Sequence, residues 1–157
     1  MNRVGIGIDV HRFAPNRKCV IGGVQIPHEQ GLLGHSDADV LAHAIADALL
    51  GAVSLGDIGK FYPDTDLQWK DMNSMIILRD VAEKFRELKA KINNIDAAIV
   101  AQVPKISPHI PKMQEIMAAN LGIRPDQIGI KATTSELMGF TGRKEGVVAI
   151  AMVSVEL

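Results

Sequence analysis

The sequence predicts an α+β domain in which a mixed, largely antiparallel sheet packs with helices. Three observations predict it. Strand-like runs stand near both ends of the chain, at 4–10 and 147–155. Long segments between them carry apolar residues at helical spacing. The last run is apolar on both faces, so both faces need cover. At 157 residues, the span 1–157 reads as a single domain.

The elements follow in order. Val4, Ile6 and Ile8 alternate with Gly5, Gly7 and Asp9 in the first strand. Residues 19–26 read as a short hairpin turning at Gly22-Gly23. Asp37 caps a helix that runs to about Leu50 and is ended by Gly51. Val40, Leu41, Ala44, Ile45, Ala48 and Leu49 recur there at helical spacing. Residues 51–71 are loop-like, with Gly56, Gly59 and Pro63 among aspartates. A second amphipathic helix spans about 73–91 and turns Ile77, Leu78, Val81, Ala82, Phe85 and Leu88 inward. A strand at 95–103 follows, then a helix opened by Ser107-Pro108 and ended by Gly122. Strands at 128–133 and 147–155 close the chain. In the last, Val147, Ala149, Ala151, Val153 and Val155 share one face, and Val148, Ile150 and Met152 make the other apolar too. In a chain this small, the cover of that second face is commonly another subunit.

Composition narrows the function. Apolar residues make up 47% and aromatics 4%, so the core is aliphatic. Seventeen basic residues against eighteen acidic ones leave a net charge of −1, which gives no footprint for nucleic acid or an anionic membrane. Cys19 stands alone, which excludes an intrachain disulfide and a cysteine metal cluster and suits a reducing compartment. No basic-then-apolar leader pattern opens the chain, and no run approaches the ~18 apolar residues of a membrane span. A soluble cytoplasmic protein is expected.

Four clusters carry chemistry. In Asp9-Val10-His11, residues two apart in a strand point to one side, so Asp9 and His11 converge while Val10 faces the core. Carboxylate and imidazole are both good zinc ligands, although a polar strand end reads the same way. In the run 35–43, Asp39 and His43 sit at i, i+4 on one helical face and His35 precedes the helix. A solvated or capped histidine, or a phosphate site at the helix N-terminus, fits these residues as well. Asp9, His11 and His43 together would make a tetrahedral site with one open position, leaving Asp39 to support a ligand from behind. The polar loop 57–66 is either an acidic surface loop or a mobile substrate cover. Finally, Thr133, Thr134, Ser135 and Glu136, followed by 139–143, hold the groups of a diphosphate–metal site, or of a turn capped by Thr134 or Ser135.

Together the motifs resemble the cyclodiphosphate synthase family of the non-mevalonate isoprenoid pathway. The likeness runs from Gly5-Ile6-Gly7-Ile8-Asp9-Val10-His11 through His35-Ser36-Asp37, Leu55-Gly56-Asp57-Ile58-Gly59, Pro63-Asp64-Thr65-Asp66, Ala101-Gln102, Pro104-Lys105 and Lys131-Ala132-Thr133-Thr134 to Gly139-Phe140-Thr141-Gly142-Arg143. The resemblance implies that Asp9, His11 and His43 hold zinc. It implies that His35 and Thr134 position phosphates and stabilise the transition state. It implies that Glu136 ligates a magnesium or manganese ion between the α and β phosphates. The run 101–107, with Ala101, Lys105 and Ser107, matches a cytosine pocket at the subunit boundary of a homotrimer. Asp57 and Gly59 match the site for the methylerythritol part, and Ser36, Tyr62, Asp64, Asp66, Thr133, Phe140 and Arg143 match further substrate contacts. Two residues depart from the common pattern: Lys144, where glycine is usual, and Leu137, where lysine is.

The implied enzyme is a lyase of isoprene biosynthesis. In 4-diphosphocytidyl-2-C-methyl-D-erythritol 2-phosphate, the 2-phosphate attacks the β-phosphorus and CMP leaves. Such chemistry needs positioning and charge neutralisation more than a nucleophilic side chain. Some members also hold prenyl diphosphates in a channel on the threefold axis. Two other readings stand beside this one: a metal-dependent nucleotide phosphohydrolase, and a non-catalytic zinc-bearing oligomer that senses nucleotides or isoprenoid diphosphates.

Overall fold

The computed structural model describes residues 1–157. In chain order its elements are β1 (Asn2–Ala14), β2 (Cys19–Ile21), β3 (Val24–Ile26), β4 (Gly31–Leu32), α1 (Val40–Ala52), α2 (Ile58–Phe61), α3 (Met75–Glu87), β5 (Lys91–Val100), α4 (Ile110–Leu121), β6 (Ile128–Thr133), α5 (Gly139–Gly142) and β7 (Gly146–Glu156). The five-stranded sheet has the order β4-β1-β7-β5-β6, and β2 and β3 form a separate hairpin. All pairs in the main sheet are antiparallel except β5 with β6. The expected mixed, largely antiparallel sheet with helices is what forms.

One face of the sheet carries the helices. Val147, Ala149, Ala151, Val153 and Val155 of β7 are buried there, with Ile92, Ile95, Ala97 and Ile99 of β5. Helix α1 lies against β1 and β7 and is buried along almost its whole length. Its close seat comes from two glycines. A Cβ on Gly5 would stand 2.0 Å from the Ala48 carbonyl oxygen, and one on Gly7 would stand 2.0 Å from that of Ala44. Only glycine lets a helix backbone approach a strand this closely.

This corrects the expected face of β1. Val10 does not face the core; with Val4, Ile6 and Ile8 it points away from the helices, and these four are 50–73% exposed. The alternation was real, but the buried side is the glycine side. Pairing continues the outward apolar surface across the sheet: Ile8 lies opposite Ile150 and that opposite Ala98, while Val10 lies opposite Val148 and that opposite Val100. Met152, 54% exposed, extends the patch. The second face of β7 therefore lies bare in a single chain.

Other boundaries shift for local reasons. The N-cap of α1 is Asp39, whose side chain accepts from Ala42 N, and not Asp37. The helix also runs through Gly51 to Ala52. Strand β5 begins at Lys91, inside the span expected to be helical, and α3 ends at Glu87. A register shift between Ile92 and Asn94 breaks the alternation that would have revealed that start. β5 stops at Val100, before Pro104. The 51–71 segment holds the single turn α2 and a 3-10 turn at Leu67–Trp69. The strand Ile128–Thr133 and the left-handed Gly122 (φ 70°) that ends α4 stand where expected.

Candidate active site

Asp9 and His11 leave β1 on its helix side, where His43 of α1 meets them. Asp9 Oδ2 lies 2.9 Å from His11 Nε2 and 3.1 Å from His43 Nδ1, and those two nitrogens are 3.3 Å apart. One ligand atom from each residue thus falls within 4.8 Å of the others. The outer nitrogens are engaged elsewhere: His11 Nδ1 donates to the Leu33 carbonyl at 2.8 Å, and His43 Nε2 stands 2.8 Å from Ser74 Oγ and 3.2 Å from Ser36 Oγ. A neutral imidazole with one nitrogen donating presents a lone pair at the other. Two imidazole lone pairs and a carboxylate converging on one point are a donor set that suits zinc, with three protein ligands leaving a position open.

Electrostatics agree with this geometry. Burial would raise the Asp9 carboxyl, but hydrogen bonds and charge from His11 and His43 outweigh it and hold the group well below the usual carboxylate range. Burial lowers His11, and the Asp9 bond and charge overcome that, so it holds its proton more tightly than an ordinary histidine. Asp39 is fully buried, yet it does not support His43. Its oxygens accept from Gly22 N at 2.8 Å, Gly23 N at 2.7 Å and Ala42 N at 3.0 Å, tying the β2–β3 turn to the start of α1. The groups behind the two histidines are Leu33, Ser36 and Ser74. Sequence gave no signal for Ser74, because a serine just before a helix reads as an ordinary cap.

The cluster opens into a cavity of about 480 Å³ that His35, Ser36, Gly59, Tyr62 and Asp64 also line. His35 Nε2 donates to the Asp66 carbonyl at 3.1 Å. Tyr62 presents its ring, stacked edge-on with Trp69, while its hydroxyl donates to Asp80. Asp57 and Asp66 spend their carboxylates as caps, on Lys60 N and Gln68 N.

The remaining expected residues form a second group. Ala101 N donates to the Thr133 carbonyl at 3.0 Å, and Leu137 N to Gln102 Oε1 at 3.3 Å, so the 101–107 run and the turn after β6 lie together. Thr134 Oγ1 accepts from Glu136 N at 3.2 Å, and Glu136 and Leu137 both take positive φ. Lys105, Ser107, Thr134 and Glu136 are exposed. Phe140 lines a small cavity with Val10, His11 and Arg12, and Arg143 pairs with Glu145 at 2.7 Å. Thr133 shares a row with Val100, Val148 and Val10 on the bare face, whereas Asp9 and His11 are on the helix face. Three strand spacings of ~4.8 Å, about 14 Å in all, separate β6 from β1. Thr133 therefore lies across the sheet from the Asp9–His11 pair.

Comparison with known proteins matches this architecture. A profile described as the YgbB family matches residues 2–156. The 2-C-methyl-D-erythritol 2,4-cyclodiphosphate synthase of Alkaliphilus metalliredigens is 58% identical over 98% of this chain and 96% of its own length. That of Geobacter sulfurreducens is 56% identical, over 98% of both chains. Among solved structures, the bifunctional IspDF from Campylobacter jejuni superposes with a TM-score of 0.95 at 45% identity, covering 99% of this chain and 42% of that longer one. A CDP complex of IspF from Plasmodium falciparum superposes with a TM-score of 0.87 at 32% identity, covering 98% and 95% of the two chains.

Proposed function

This chain belongs to the YgbB family and forms a 2,4-cyclodiphosphate in isoprenoid synthesis, and we propose how its residues divide that work. The substrate is 4-diphosphocytidyl-2-C-methyl-D-erythritol 2-phosphate, and the products are the cyclic diphosphate and CMP. The observation that carries the assignment is the convergence of Asp9, His11 and His43 at the floor of the cavity that His35, Ser36, Gly59 and Asp64 line. These three side chains would hold zinc, which would supply Lewis acidity at the cavity floor. His35 has its Nε2 held by the Asp66 carbonyl, and its role is to position the phosphates. Asp57 and Gly59 receive the methylerythritol part, and Asp64 adds a further substrate contact. The 2-phosphate oxygen attacks the β-phosphorus as the bond to the CMP oxygen breaks. No proton changes hands on the attacking group, so the protein's task is to fold the substrate and neutralise its charge.

The nucleotide half lies with Ala101, Lys105, Ser107, Thr133 and Thr134, and Glu136 would hold a magnesium or manganese ion, which would neutralise charge on the diphosphate. The CDP-bound relative supports a cytidine diphosphate ligand for this half. Thr133 faces the side of the sheet opposite Asp9 and His11, which supports a complete site joined from two chains of a homotrimer. The bare apolar face of β1 and β7 supports that assembly, since exposing Val4, Ile6, Ile8 and Met152 together is costly in water. The same face would line a threefold channel suited to a prenyl diphosphate. The lone, buried Cys19 suits a reducing cytoplasm.

Mixing two inactive variants tests this division. His43→Ala lacks the metal half and Thr134→Ala the nucleotide half. Co-assembled at equal amounts, they rebuild about one quarter of the interfaces intact, and turnover returns in that proportion. If the mixture stays as inactive as its parts, the site does not span two chains.

A further inference from the structure

Ser74 is wholly buried and stands immediately before α3, at the position where serine ordinarily caps a helix. Its side chain makes no cap bond. That task falls to Asn73, whose Oδ1 accepts from Met75 N at 2.9 Å. The Ser74 hydroxyl instead reaches two other groups. It donates to Asp37 Oδ1 in a short contact, and it lies 2.8 Å from His43 Nε2.

The direction of these bonds follows from proton counting. A hydroxyl has one hydrogen to give. Both Asp37 oxygens already accept backbone N–H groups, Oδ1 from Asp39 at 3.1 Å and Oδ2 from Ser74 at 2.9 Å, so Asp37 is placed as an acceptor. The Ser74 hydrogen therefore goes to Asp37, and Ser74 Oγ can only accept from His43. His43 then carries a hydrogen on Nε2, which leaves Nδ1, the nitrogen 3.1 Å from Asp9 Oδ2, as the one able to offer a lone pair to a metal. Ser36 Oγ also accepts from Ala38 N and lies farther from Nε2, at 3.2 Å, so the shorter Ser74 bond governs that nitrogen. His11 is fixed differently, by the main-chain carbonyl of Leu33.

Resting on the zinc reading above, we infer that Ser74, backed by Asp37, is a positioning residue that locks His43 in the tautomer and ring orientation able to ligate the metal. A histidine ligand held from behind in this way is both oriented and made more basic. Asp37 thus serves His43 through Ser74, and not α1 as its cap.

The test uses full-length protein stripped of metal, with zinc affinity read by competition against a chromophoric chelator. Ser74→Ala is expected to weaken zinc binding about 10- to 100-fold. Ser74→Thr keeps the hydroxyl and restores most of that affinity. The melting temperature of the metal-free Ala variant should change little, because Asn73 still caps α3. Long-range ¹⁵N correlation of the histidine rings in the metal-free protein gives a second readout. Wild type should show His43 with a hydrogen on Nε2, and Ser74→Ala a population in which that hydrogen is missing. Unchanged affinity together with an unchanged tautomer in Ser74→Ala would overturn the inference. So would equal losses of affinity and stability in the Ala and Thr variants. A wild-type protein that binds no zinc would instead overturn the metal reading, and the tautomer measurement would still decide the role of Ser74.

Discussion

Replacing Gly7 with alanine perturbs the one contact that joins fold to site most directly. The added Cβ would stand 2.0 Å from the Ala44 carbonyl oxygen, 2.7 Å from Ala48 N and 3.0 Å from the Ala44 carbonyl carbon. Ordinary contact needs ~3.5 Å, so the gap must widen by more than an ångström. All three atoms are helix backbone, which no rotamer change can move aside. Helix α1 must lift or β1 must bend. Overpacking of this kind costs about 3 kcal/mol at the upper end of its usual range. For a chain of this size that is a fall of roughly 6–12 °C in melting temperature, measured at fixed protein concentration. The site moves with the helix. Ala44 adjoins His43, and Gly7 lies two residues before Asp9, so the shift separates His43 from Asp9 and His11. A misplacement of about 1 Å at such a site costs on the order of 100-fold in turnover, and zinc affinity falls with it. Thermal unfolding and chelator competition on Gly7→Ala check both. Wild-type values for melting and zinc affinity would refute the reasoning, because they would mean that the helix is not seated on the glycine face.

Further outcomes follow from the same geometry. His43→Ala should lose bound zinc and nearly all turnover yet stay folded, since 38 buried residues form the core without it; circular dichroism and metal analysis read both. Glu136→Gln should raise the magnesium or manganese concentration needed for activity while zinc content stays constant, and loss of zinc would show that the two metal sites are misdivided. Ile150→Asp sets a carboxylate on the bare face beside Ile8 and Ala98, costing several kcal/mol at a buried interface, so trimer content in sedimentation and turnover should fall together. Asp9 raises the affinity of His11 for its proton in the metal-free protein, and zinc needs that nitrogen neutral. Zinc binding should therefore release a proton and weaken as pH falls through and below the raised His11 value. Calorimetry in buffers of different ionisation enthalpy reads the proton count.

Much of the molecule was legible in the sequence where local chemistry and tertiary demand coincide. Residues 128–133 and the Gly122 terminator needed only alternation and a left-handed cap. Asp9 and His11 converge as the strand period requires, and His43 joins them. What stayed hidden depended on a partner element. Val4, Ile6, Ile8 and Val10 alternate correctly, but alternation cannot say which side is core when the other side is glycine. Only the approach of α1 to Gly5 and Gly7 decides that. The start of β5 was masked by the extra residue at Asn93-Asn94. Asp37 and Asp39 are equivalent as caps on paper, and the difference lies in what stands opposite: the Gly22-Gly23 turn for Asp39, and Ser74 for Asp37. Ser74 itself looks like any serine before a helix, and its task appears only once the segment before α3 is folded over His43. The nucleotide-side residues were identified through family resemblance, and of them the strand register turns Thr133 to the face opposite Asp9 and His11.

The central claim is that the substrate's own 2-phosphate, and not water, displaces CMP at this site. Phosphorus NMR of the purified protein with 4-diphosphocytidyl-2-C-methyl-D-erythritol 2-phosphate, zinc and magnesium tests it in one spectrum. CMP and the 2,4-cyclodiphosphate should appear in equal amounts, with no orthophosphate. CMP accompanied by a linear bisphosphate, or by free phosphate, would show that water is the nucleophile and would contradict it.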